Sequence, residues 1–193
     1  MGARTHLHPL LTNPMQASGM TNYRRLRLKG ATYFFSVALE DRQATTLVDR
    51  IDDLRSAYAA TWMERPFTCD AFVVLPNHLH AIWTLPRGDS DFSTRWRLIK
   101  SRFTLRSGAA RNRCRSKREK QEKGIWQRRF WEHCIRDEAD FRTHLRYCWA
   151  NPVRHGQVDH AADWPFSSLR RDIRLGQADP RWNGQIPMGD FGE

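Results

Sequence analysis

Two short apolar segments, residues 67–75 and 78–85, are separated only by Pro76 and Asn77. Proline followed by asparagine is a turn signal, and both flanking segments have the length and the residue types of strands. The pattern therefore predicts a β-hairpin. Since a hairpin places its two strands side by side and antiparallel, it restricts how the remaining segments can be arranged.

The segments around the hairpin alternate between strand and helix patterns. Strands are predicted at 31–39 and 129–135, and helices at about 44–62, from Ser93 onward, and from Asp137 to about Ala150. The first six elements then follow the order β-α-β-β-α-β of ferredoxin-like folds. The predicted class is α+β: an antiparallel sheet with helices on one face, an added helix after the fourth strand and an irregular C-terminal tail with a short helix near residues 167–175.

The three main helices have apolar residues at helical intervals. These are Leu47, Ile51, Leu54 and Tyr58 in the first, Phe92, Trp96, Ile99 and Phe103 in the second, and Phe141, Leu145 and Cys148 in the third. Ser93 and Asp137 are the predicted N-caps of the second and third helices. Asn151 and Pro152 are predicted to stop the third.

The 193 residues fit one domain, predicted at 20–156, between a disordered N-terminal tail at 1–19 and a C-terminal extension at 157–193. No apolar run approaches the roughly 20 residues that span a membrane, and the N-terminus lacks the pattern of a signal peptide. Four scattered cysteines without a C-x-x-C pair argue against a zinc ribbon or a disulfide framework and favour a reducing cytoplasm.

The formal net charge is +11, and residues 100–123 carry ten lysines and arginines against two glutamates. Such an excess is typical of proteins that bind a polyanion, with nucleic acid as the first candidate. A merely basic bacterial protein remains the alternative on charge alone.

His78 and His80 lie two residues apart at the start of the second hairpin strand. Their side chains therefore project from the same face of the sheet, where neutral ring nitrogens can share a divalent ion. Histidines satisfied within the core are the alternative, and a third ligand would be needed to decide between the two.

The last helix carries Tyr147 and Asn151 one turn apart, on one flank of its apolar stripe. If this helix packs near the histidine strand, Asn151 could offer an oxygen to the ion and Tyr147 a hydroxyl beside it. The alternative is that Tyr147 is a packing residue and Asn151 a C-cap before Pro152.

Three segments together resemble the REP-associated tyrosine transposases, a branch of the single-tyrosine HUH transposases in which REP denotes repetitive extragenic palindromes. They are "LPNHLHAIW", "GIWQRRFWEHCIRDEADFRTHLRYCWANPVRHG" and "DWPFSS", in the family's order. The resemblance implies that Tyr147 is the nucleophile and that His78, His80 and Asn151 hold a divalent metal, Mg²⁺ or Mn²⁺. The implied partner is single-stranded DNA with hairpins, cut through a 5′-phosphotyrosine link without a nucleotide cofactor. The implied setting is the nucleoid, and the implied state is a monomer or a homodimer.

Basic and aromatic residues near the first and fourth strands are candidates for DNA binding. They are Arg24, Arg25, Lys29, Arg102, Trp126, Arg128, Arg129 and Trp131. The tryptophans could equally belong to the core. Two other functions stay open at this point: a hairpin DNA- or RNA-binding module without catalysis, and a metal-dependent phosphoesterase that uses water.

Overall fold

The computed structural model describes residues 26–108, 124–182, 189 and 191–192. The predicted tail at 1–19, Arg24, Arg25 and most of the basic segment at 100–123 lie outside these residues. The strands are β1 (Thr32–Ala38), β2 (Thr68–Val74), β3 (His78–Thr84) and β4 (Trp131–Cys134). The helices are α1 (Thr46–Asp49), α2 (Ile51–Glu64), α3 (Phe92–Ser107), α4 (Glu138–Arg154) and α5 (Leu169–Arg174), with a 3-10 turn at Ala161–Asp163.

The four strands form one antiparallel sheet in the order β2-β3-β1-β4. β2 and β3 are the predicted hairpin, and β1 lies between β3 and β4, with Ser36 opposite His80. This confirms the α+β class and the β-α-β-β-α-β order.

One face of the sheet carries α2 and α3. Residues that alternate along β1 and β3, such as Phe35, Leu79 and Trp83, pack there against the predicted stripe of α3. Trp83 and Trp96 stack with ring centroids 4.2 Å apart. The predicted stripe of α3 is therefore confirmed, although its N-cap is Asp91, whose carboxylate accepts from the amide of Thr94, and not Ser93.

The opposite face carries α4, which packs across β2 and β3. Asp137 caps α4 as predicted, by accepting from the amide of Asp140. The predicted stop at Asn151 and Pro152 is wrong, because the helix continues to Arg154 with Pro152 buried inside it. Proline inside a helix lacks the amide hydrogen for the bond to residue i−4 and crowds the carbonyl of that residue, yet here the helix runs on for two more residues.

The face that α4 presents to the sheet is wider than predicted. Cys148 of the predicted stripe is fully buried, and Phe141 and Leu145 are half-buried against the same core. Asp140, His144 and Tyr147 are buried as well, so the polar flank of the helix also faces the sheet.

The C-terminal segment covers the outer edge of the sheet. The amide of Val74 donates to the carbonyl of Phe166, and that of Ser168 donates to the carbonyl of Phe72. Because an uncovered edge strand invites pairing with other chains, this short ladder explains what the "DWPFSS" segment does in the fold. The predicted helix near residues 167–175 is α5. No helix in the described ranges is long and apolar enough to cross a membrane.

Candidate active site

The side chains of His78 and His80 project from the same face of β3, as their spacing predicts, and this is the face that α4 covers. His78 is 6% exposed and His80 is fully buried. Their ring centroids lie 5.2 Å apart with the rings nearly perpendicular.

The hydroxyl of Ser36 fixes the tautomer of His80. Its oxygen lies 2.8 Å from Nδ1 of His80 and donates to the carbonyl of Phe191 at 2.5 Å. Since a serine hydroxyl has one proton, Ser36 must accept from Nδ1. His80 therefore keeps the lone pair of Nε2 for another partner.

Asn77 does the same for His78. The amide oxygen of Asn77 lies 2.6 Å from Nδ1 of His78. The amide nitrogen of Asn77 donates to the carbonyl of Arg42, which sets the orientation of the amide. An amide oxygen only accepts, so Nδ1 of His78 carries the proton and Nε2 is the basic atom.

Helix α4 places Tyr147 beside these imidazoles. Its ring centroid lies 5.1 Å from that of His80, at 76°. Asn151 follows one turn later on the same side of the helix and is fully buried. The helix continues two residues beyond Pro152 to Arg154, whose guanidinium lies 5.3 Å from the Tyr147 ring centroid.

Phe191, near the C-terminus, covers Tyr147. Phe191 stacks on Tyr147 with centroids 3.7 Å apart and 15° between the planes, and Tyr147 is 0% exposed. The next residue, Gly192, has φ +73°, and a Cβ there would overlap the ring of Trp131. The ring of Tyr147 is therefore covered in this conformation.

Comparison with known proteins identifies the family. No family model matches the chain. It is 44% identical to the REP-associated tyrosine transposase of Escherichia coli K12 over 174 residues, which cover 90% of this chain and 98% of that protein. A relative from Haemophilus influenzae is 42% identical over 166 residues, covering 86% and 94% of the two chains. The chain belongs to the REP-associated tyrosine transposases.

A solved structure agrees with this. The structure of a REP-associated tyrosine transposase bound to a REP hairpin superposes with a TM-score of 0.81 at 44% identity, covering 90% of this chain and 98% of that one. As a tyrosine transposase, this chain is an enzyme with an α+β fold shared with that protein.

A second polar group lies beside the site of this transposase. His133, Asp140 and His144 have possible ligand atoms within 4.8 Å of one another and could together hold a divalent ion. Asp140 accepts from Nε2 of His133 at 2.8 Å and from the backbone and Nε of Arg136 at 3.0 Å. Burial opposes the charge of Asp140, but these hydrogen bonds outweigh it and hold its pKa well below the usual range. Burial also lowers the pKa of His144, which favours the neutral ring.

The candidate DNA-binding residues fall into different environments. Lys29, Arg128 and Arg129 are exposed. Arg102 donates hydrogen bonds to the side chains of Thr61 and Glu64 on the α2 and α3 side of the sheet.

The two candidate tryptophans are packed against protein groups. Trp126 lies against the core on the α2 and α3 side and donates to Thr104. Trp131 packs against Phe34 and His133 on the α4 side.

Sequence reasoning missed Ser36, Asn77, Arg154 and Phe191. A polar serine within the apolar run of β1 was the available signal for Ser36. Asn77 was recognised only as a turn residue.

Proposed function

We propose that this chain cleaves and rejoins single-stranded DNA beside hairpins, with Tyr147 as the nucleophile. The observation that carries the proposal is the approach of the Tyr147 ring to His80, 5.1 Å between centroids, on a chain of the tyrosine transposase family. The solved relative is bound to a REP hairpin, which supports hairpin DNA as the partner.

The polar atoms at the site suit a divalent metal. Hydrogen bonds from Nδ1 leave Nε2 of His78 and of His80 basic, and Asn151 contributes a buried amide oxygen. Two nitrogens and one oxygen are a set that Mn²⁺ favours and Mg²⁺ tolerates. When bound, such an ion would polarise the scissile phosphate.

Tyr147 would attack the phosphorus atom. The phenol gives up its proton to water as its oxygen forms a bond to phosphorus, the bond from phosphorus to the 3′-oxygen breaks, and that oxygen takes up a proton to leave as a 3′-hydroxyl. Attack by a 3′-hydroxyl on the phosphotyrosine reverses the step and joins strands, so no nucleotide cofactor is needed. A phenol with an ordinary pKa near 10 needs help to react at neutral pH.

Arg154 could assist the attack by binding the phosphate beside the phenol. Its guanidinium lies over the Tyr147 ring at 5.3 Å and is held by the same helix. A phosphate approaching the phenol would meet this charge, which can bind a non-bridging oxygen and hold phosphorus in line.

Helix α4 packs on the sheet of its own chain with the Tyr147 ring 5.1 Å from that of His80, so no helix from a second chain is needed to bring these two side chains together. This supports a functional monomer over a dimer that exchanges the tyrosine helix. We infer that the enzyme works on nucleoid DNA, where genomic repeats are found.

A covalent-adduct assay tests the proposal. The full chain is incubated with a single-stranded hairpin oligonucleotide and Mn²⁺, and a denaturant-resistant protein–DNA adduct is expected. EDTA, Tyr147→Phe and His78→Ala should each abolish the adduct, while His78→Ala keeps most hairpin binding because phosphate contacts dominate affinity. Cleavage that persists in Tyr147→Phe would instead indicate a water-using phosphoesterase, and binding without cleavage under any metal would indicate a binding module.

A further inference from the structure

A cavity of about 310 Å³ opens at the outer edge of the sheet. Its walls come from α2, from β2 and from the segment 165–171 that covers the edge, and none of its lining residues belongs to α4. It is therefore separate from the site around Tyr147. Its volume lies at the lower end of the range for pockets that bind small molecules.

The walls of this edge cavity are mostly apolar and include three aromatic rings. Tyr58, Phe72 and Phe166 line it and are each half-buried. Tyr58 and Phe72 meet with centroids 5.1 Å apart, and Arg55 lies 5.9 Å over the Phe166 ring. A flat, apolar and polarizable ligand such as a nucleobase suits walls of this kind, because stacking on aromatic rings does not depend on base identity.

A basic hollow of about 550 Å³ adjoins the edge cavity and shares Pro165, Ser167 and Arg171 with it. Arg171 is held in place by the carbonyls of Cys69 and Asp70 and by the carboxylate of Asp172. The hollow also contains Arg170 and Arg174, both exposed. None of the described residues that line either surface is acidic.

The two surfaces together have the chemistry of a nucleotide site: an aromatic cavity for a base beside arginines for its phosphate. We propose that the edge cavity and the basic hollow bind one unpaired nucleotide of the DNA, with the base among Tyr58, Phe72 and Phe166 and a phosphate on Arg170 and Arg174. The inference rests on the proposed function in taking DNA as the ligand. Through this contact, the enzyme would hold a strand at the edge of the sheet, apart from the point of cleavage.

Binding of three labelled probes by the full chain in EDTA, which prevents cleavage, tests the proposal. The probes are a short single strand of mixed sequence, the same strand with abasic sites, and its duplex. Phe166→Ala removes a ring from the cavity, and Ile51→Trp fills the cavity from the first turn of α2. Each should weaken single-strand binding about tenfold and leave duplex and abasic binding nearly unchanged.

Replacement of both hollow arginines, Arg170→Ala with Arg174→Ala, should weaken binding of the intact and abasic single strands and flatten the salt dependence. Arg97→Ala, an exposed arginine on α3, and Leu175→Ala, an exposed apolar residue after α5, are the matched controls. Thermal unfolding checks that each variant is folded. If Phe166→Ala is unfolded, Ile51→Trp still decides the result, because it adds volume and leaves no cavity behind.

Unchanged single-strand affinity in the folded cavity variants would overturn the inference, as would equal losses for single strand, abasic strand and duplex. Failure of the proposed function is separate. A wild-type chain that forms no adduct, with cavity variants that lose single-strand affinity, would refute cleavage through Tyr147 and leave the nucleotide site standing.

Discussion

At the scale of single residues, the candidate site depends on side chains that orient other side chains. Ser36 and Asn77 each accept from Nδ1 of a histidine, so that both imidazoles present Nε2. Histidine ligands in metal sites commonly need such a partner, since it selects the tautomer and fixes the plane of the ring.

Ser36→Ala should weaken metal-dependent activity by about 10- to 100-fold, because Nδ1 of His80 loses its acceptor. The measurement is adduct formation as a function of Mn²⁺ concentration, where the half-saturating concentration should rise. Ser93→Ala, whose hydroxyl contacts Arg27 away from the site, is the control. An unchanged Mn²⁺ dependence in Ser36→Ala would contradict the role given to Ser36.

Arg154→Ala should slow adduct formation by at least about tenfold at saturating Mn²⁺, because a charge-assisted contact to phosphate is lost. The matched control is Arg146→Ala, which removes an exposed arginine from the same helix. Equal single-turnover rates for the two variants would show that Arg154 does not act on the phosphate.

At the scale of elements, a buried cation ties α3 to the start of β2. Arg95 is 2% exposed and donates to the carbonyls of Arg65, Pro66 and Asp91. Its ion-pair partner is Asp89 at 2.7 Å. The hydrogen bond from Arg95 lowers the pKa of Asp89 below its ordinary value.

Asp89→Asn should destabilise the protein by about 2 kcal/mol at pH 7, since it leaves a buried charge without its counter-ion while three carbonyl acceptors remain. Because the folded pKa of Asp89 is depressed, the stabilisation is present above about pH 4 and is lost as pH falls below that value. Chemical denaturation at pH 7 and pH 3 measures the free energy of unfolding. The difference in this free energy between wild type and Asp89→Asn should be smaller at pH 3 than at pH 7.

The control for this change is Asp52→Asn, since Asp52 is 89% exposed and pairs with an exposed arginine. Asp52→Asn should leave the free energy of unfolding nearly unchanged at both pH values. A difference between wild type and Asp89→Asn that stayed constant down to pH 3 would rule out the ion pair as its source.

At the scale of the whole molecule, the first strand and a residue near the C-terminus meet at the candidate site. Ser36 from β1 donates to the carbonyl of Phe191, 155 positions later, and the ring of Phe191 covers Tyr147. If Tyr147 is the nucleophile, we expect Phe191 to move off its ring before the reaction with DNA.

Phe191→Ala should speed adduct formation several-fold, because the stacking contact that holds the site closed is removed. Leu175→Ala, which changes an exposed apolar residue outside the site, should have no effect. The measurement is the single-turnover rate with a hairpin oligonucleotide. A slower rate in Phe191→Ala would mean that Phe191 assists the reaction and does not block it.

The sequence by itself determined the features that depend on local geometry. The turn at Pro76 and Asn77 predicted the hairpin, and the period of two along β3 placed His78 and His80 on one face. Helical intervals predicted the buried stripe of α3, and the order of elements predicted the sheet. Each follows from backbone periodicity or turn chemistry within a few residues of sequence.

Only the tertiary structure decided what depends on contacts between distant segments. The polar flank of α4 faces the sheet, where Tyr147 lies beside His80 of β3, and the helix runs through the buried Pro152 to Arg154. Ser36 contacts His80, which lies 44 positions later, and the carbonyl of Phe191, which lies 155 positions later. No local pattern encodes such pairs, since their free energy arises only when the chain has already folded.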